Sequence, residues 1–90
     1  MQVADQLIEK IIKDQELIIG PIAWIEAKKI KGLEIREDEV HLLGRARPVL
    51  EALVSRYARL FGDASIEVCK DAARPFIGKF PKAELPVSLQ

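Results

Sequence analysis

The dipeptide Gly20-Pro21 interrupts the longest apolar run of the chain, Leu17 to Ile25. A glycine readily ends a helix in a left-handed conformation, and a proline opens the next one with φ already set. The break therefore predicts a helix corner. Before it, apolar residues at positions 3, 4, 7, 8, 11, 12 and 18 follow the spacing of a helix with one buried stripe. Glu9, Lys10, Lys13, Asp14 and Glu16 take the other face, with Glu9 and Lys13 forming a favourable i, i+4 pair. After the break, a second helix runs from Pro21 to about Lys29. Its Ile22, Trp24 and Ile25 cannot all face one seam, which is the pattern of a helix central to a core or to an interface.

Gly32 stops this helix, and the Lys28, Lys29 and Lys31 cluster sits where cations favour a helix C-terminus. Leu33-Glu34-Ile35 and Val40-His41-Leu42 alternate apolar and polar residues around Arg36-Glu37-Asp38-Glu39, predicting a small β-hairpin with an acidic tip. A third helix, with Pro48 in its first turn, carries Leu50, Leu53, Val54, Tyr57, Leu60 and Phe61 as one stripe, with Arg56 and Arg59 off it. Gly62 closes it. Asp63 is placed to cap a fourth helix through Ile66, Val68, Cys69, Ala72 and Ala73, which Arg74-Pro75 ends. The core expected from these stripes is Ile8, Ile11, Leu50, Leu53, Val54, Tyr57, Phe61 and Ile66. Beyond Pro75 no helical period survives, so the sequence divides into a helical domain over 1–75 and an extended tail over 76–90.

A shift of 42 residues places Ile8 on Leu50, Ile11 on Leu53, Ile12 on Val54, Ile18 on Leu60, Ile19 on Phe61 and Gly20 on Gly62. Two readings stand: an internal duplication of a helix-Gly-helix unit, or two unrelated amphipathic helices each ending in glycine. The expected fold is all-α, with four helices in two hairpins and the β-hairpin inserted between them. Charge divides at the same boundary. Residues 1–44 carry six basic and nine acidic side chains, and residues 45–90 carry eight basic and five acidic. The halves are therefore complementary, within one chain or between copies.

Chemistry is thin. A single cysteine, Cys69, excludes an intrachain disulfide, and with His41 as the one histidine no zinc site can be assembled. Both read as structural residues. Ser55, Ser65 and Ser88 have no nucleophile-elbow context. Glu37-Asp38-Glu39 lacks the alternating ligands and the glycine of a calcium loop. No catalytic residue, cofactor or metal is assigned, and no small-molecule substrate is identified. The apolar run is about half of the roughly 20 residues a bilayer span needs. Met1-Gln2-Val3-Ala4-Asp5 offers no basic leader, so the expected location is the cytoplasm.

The run Gly20-Pro21-Ile22-Ala23 resembles helical modules appended to bacterial signalling proteins, in which such a G-P-I-A run opens a helix after a short apolar one. The resemblance implies a protein-contacting module without catalysis, and no functional residue is carried over from it. Ninety residues bury only about 60 to 65% of the surface the unfolded chain exposes, so a partner surface has much to add. The sequence thus points to a non-enzymatic protein–protein interaction module, a homodimer or larger homo-oligomer. Its contact residues are expected at Trp24, Ile25, Phe76, Ile77 and Phe80. The alternative is a small winged-helix-like DNA-binding regulator with Lys28, Lys29, Lys31, Arg45 and Arg47 on phosphates. The zero formal charge and the acidic hairpin tip argue against nucleic acid.

Overall fold

A computed structural model describes residues 2–37 and 39–90. Met1 and Asp38, the latter in the acidic tip, lie outside the described residues. Four helices and one hairpin form: α1 (Val3–Ile19), α2 (Ile22–Ala27), β1 (Leu33–Arg36), β2 (Glu39–Leu42), α3 (Ala46–Phe61) and α4 (Ala64–Ala73). The two strands pair antiparallel in the register Leu33↔Leu42, Glu34↔His41, Ile35↔Val40 and Arg36↔Glu39. Asp5 on α1 clamps the hairpin by accepting the Leu42 N–H at 3.0 Å. Val40 points into the core, and His41 is exposed on the opposite face of the strand.

The stripes expected to be buried mostly are. Ile8, Ile11, Leu50, Leu53, Val54 and Tyr57 are in the core, whereas Phe61 and Ile66, beside the α3–α4 corner, are half-buried. α2 is shorter than expected: after Ala27 the Lys29 and Ile30 N–H groups bond three residues back, to Glu26 and Ala27, and tighten the chain into a turn. Asp63 is not a side-chain cap. Its φ of −66° and ψ of −22° are already helical, whereas a capping side chain needs extended backbone to reach back.

Both corners use one geometry. Gly20 has φ 80° and ψ −163°, and Gly62 has φ 91° and ψ 176°, a region essentially confined to glycine. This is extended backbone with positive φ, not the left-handed helical conformation anticipated for Gly20. The Gly20 N–H bonds to Glu16 O and the Ala23 N–H to Gly20 O; the Gly62 N–H bonds to Ala58 O and the Ser65 N–H to Gly62 O. Every partner in the second set is 42 residues beyond its counterpart in the first.

The same shift relates the core. Leu7 and Val49, Ile8 and Leu50, Ile11 and Leu53, Ile12 and Val54, Gln15 and Tyr57, Ala23 and Ser65, Ala27 and Cys69, and Ile30 and Ala72 are buried in pairs. Two buried hydrogen bonds cross between the halves. Gln15 Nε2 donates to Ser65 O at 3.0 Å, and the Tyr57 hydroxyl donates to Ala23 O at 2.7 Å. Under the shift each bond becomes the other with its halves exchanged, as an approximate two-fold relation between the halves requires. Neither αα-hairpin can bury its stripe alone, and this relation lets each cover the other.

The last residues are not an extended tail. Arg74–Lys79, Lys82–Glu84 and Val87–Leu89 are short 3-10 helices. They pack back on α4 and α3, burying Leu85, Pro86 and Leu89. Pro81 and Pro86 precede the second and third of these turns, each with φ near −60°. No local period marks such turns, because their apolar residues are buried by distant elements.

Candidate functional site

The α1–α2 corner carries an apolar surface. Leu17 is 85% exposed, Ile18 65%, Ile25 53% and Ile22 38%, and Trp24 among them is half-buried against the core. These residues follow from the local geometry. The stripe of α1 turns Ile8, Ile11, Ile12 and Gln15 inward, which leaves Leu17 on the opposite face; Ile18 lies on the stripe itself, two turns after Ile11, but is exposed in the last turn of α1. Ala23, Glu26 and Ala27 take the inner face of α2, so Ile22 and Ile25 face out.

The two-fold relation supplies an internal comparison. The positions equivalent to Leu17, Ile18, Ile22 and Ile25 hold Arg59, Leu60, Ala64 and Glu67. The same backbone thus accepts a cation, a small residue and an anion at three of the four places. Exposed leucine and isoleucine at the first corner are not required by the fold. Exposed large apolar side chains grouped at one corner are a feature of interaction sites in small proteins.

The other expected contact residues lie elsewhere. Ile77 is exposed, while Phe76 and Phe80 are half-buried against the core. Phe80 lines a cleft with Gln2, Val3 and Ala4 at the start of α1. Trp24 and Ile25 follow its far end, and a 17-residue helix is about 25 Å long. Trp24 and Ile25 therefore do not share one surface with Phe80.

The basic residues divide as well. Arg45 bonds to Glu84 at 3.4 Å, and Arg47 bonds to Glu51 and to the Ala83 carbonyl, where the start of α3 meets the Lys82–Glu84 turn. Lys28 is exposed at the end of α2. Lys29 and Lys31 instead line a second cleft with Ser55, Arg56 and Arg59 from the latter half of α3. Arg56 and Arg59 were not singled out as site residues, although their i, i+3 spacing off the apolar stripe marks them as one face.

Behind that cleft, the nearly buried Glu26 carboxylate accepts from Arg56 Nε at 2.7 Å and from Lys29 Nζ at 3.1 Å. The Arg56 hydrogen bond, seconded by that of Lys29, holds the Glu26 carboxyl below its ordinary range. Because the folded state lowers this affinity for protons, the resulting stability is fully present at neutral pH. It is lost as pH falls through and below the usual carboxylate range. Thermal melts at decreasing pH should accordingly show a shallower acid limb for Glu26→Gln than for the parent chain.

Cys69 offers no reactive thiol. Burial pushes it up to about 11, partly offset by the Gln15 side chain 3.4 Å from Sγ, so it stays protonated at neutral pH. Among the described residues no group of His, Cys, Asp and Glu side chains is placed to hold a metal ion. None of the described helices is long and apolar enough to cross a membrane. Compared with protein-family models, curated proteins and solved structures, the chain matches none.

Proposed function

We propose that this chain is a non-catalytic protein–protein interaction module of the cytoplasm that self-associates through the α1–α2 corner. The reading is carried by the exposed Leu17, Ile18, Ile22 and Ile25, set where the equivalent corner holds Arg59, Leu60, Ala64 and Glu67. A second copy is the proposed occupant, since a chain of ninety residues has little core to spare and gains from a partner surface. The Gly20-Pro21-Ile22-Ala23 resemblance supports placing the module in a bacterial signalling or regulatory assembly. Trp24 contributes through its exposed edge. The tail aromatics are left out of this surface, since Phe80 sits toward the other end of α1.

The equivalent corner also supplies the variant. Leu17→Arg with Ile25→Glu installs the residues that the matching positions already hold, so the fold should be retained. Light scattering is expected to show the parent chain as a dimer at about 100 μM, a concentration at which weak interfaces assemble, and the double variant as a monomer that still melts cooperatively, at a temperature independent of concentration. A parent chain that remains monomeric there would refute the proposal.

A further inference from the structure

We infer that the cleft between the α2–β1 turn and the latter half of α3 binds a small phosphate-bearing polyanion. Lys29, Lys31, Arg56 and Arg59 line it together with Ser55, and among the described residues Glu26 is the one carboxylate bonded to them. Four cations against one anion is a local excess in a chain with no formal net charge.

Outside the cleft, Lys28, Lys79 and Lys82 have no ion pair among the described residues, and Arg36 meets Glu34. Lys10, Lys13, Arg47, Lys70 and Arg74 each meet a carboxylate three or four residues away, and Arg45 meets Glu84. Among the described residues, Lys31 and Arg59 have no ion pair. Arg56 is paired only through Nε. Its bond to Glu26 anchors the guanidinium and leaves both Nη groups without a protein acceptor among the described residues. A guanidinium held in this way presents its fork to an oxyanion with little further ordering.

The scaffold does not demand these charges. The positions equivalent to Lys29, Lys31, Arg56 and Arg59 hold Asp71, Ala73, Asp14 and Leu17. The basic character is therefore not repeated at the equivalent place in the other half.

Size and surroundings select the ligand. The cleft has a volume of about 340 Å³, at the small end of ligand sites, and no aromatic side chain lines it to stack on a base. The net acidic charge of residues 1–44 disfavours a polymer that would run on from the cleft over that half. Clustered Arg and Lys with one hydroxyl suit the several oxygens of a phosphate or diphosphate group.

Inorganic pyrophosphate is the probe, titrated into the isotope-labelled full chain at low salt and followed by backbone amide shifts. Saturable shifts are expected at residues 29–31 and 55–59. Lys31→Ala with Arg59→Ala should weaken binding roughly tenfold or more with the melting temperature unchanged, and Arg45→Ala with Arg47→Ala should leave it unaltered. Absence of saturation by about 10 mM, weaker than any useful charge-assisted site, would overturn the inference. So would equal weakening by the Arg45 and Arg47 pair, or displacement of pyrophosphate by a DNA duplex at lower phosphate concentration.

Discussion

Truncation after Arg74 is expected to leave a chain that no longer melts cooperatively near the parent temperature. The deleted residues include Leu85 and Leu89, which are almost fully buried, and Pro86 between the second and third 3-10 turns. Burying a leucine stabilises by about 1.5 to 3 kcal/mol relative to leaving it exposed. The deletion also removes the turns that pack against α4. Chain entropy is regained, but a segment that is folded at equilibrium has already overcome that cost. A domain of this size has roughly 5 to 13 kcal/mol of total stability, so the loss is a large fraction of it. Circular dichroism on heating reads the outcome, with a fall in melting temperature of about 10 °C or more expected. An unchanged melt would mean that the tail contributes nothing to the core.

Leu53→Ala should destabilise by about 2 to 5 kcal/mol, the range for emptying a fully buried leucine site. Leu53 has no exposed surface and lies on the buried stripe of α3. Ile11 is its two-fold counterpart and equally buried, so Ile11→Ala is expected to cost a similar amount. Chemical denaturation read by Trp24 fluorescence checks both. A midpoint within error of the parent for either variant would place that residue outside the cooperative core.

The helices and the hairpin could be read because each is governed by neighbours in the chain. A stripe such as Ile8, Ile11 and Ile12, or Leu50, Leu53 and Val54, repeats with the helical period and is buried on one side. Gly20 and Gly62 mark corners because positive φ strains residues that carry a Cβ. The tail fails this test. Its leucines repeat with no period, and only the α4 surface they cover explains why they are inside.

The candidate sites were legible in part. Trp24 and Ile25 stand out as apolar residues on a crowded helix, but which of them faces water depends on which face Ala23 and Ala27 turn inward. Lys29 and Lys31 stand out as a cluster, yet their partners Arg56 and Arg59 are some 25 to 30 positions away. Sequence spacing cannot pair residues across α2 and α3.

The sequence by itself determined the four α-helices and the hairpin, the positions of the two glycine corners and the 42-residue register, because these rest on backbone preference and on periodicity within one segment. Tertiary structure decided the rest. It set the exchange of hydrogen bonds by Gln15 and Tyr57 across the two-fold relation, the return of residues 74–90 onto the core, and the division of the basic residues between two sites. Each of these depends on contacts between segments far apart in the chain, where burial and pairing are settled by the packing of whole elements and leave no local mark.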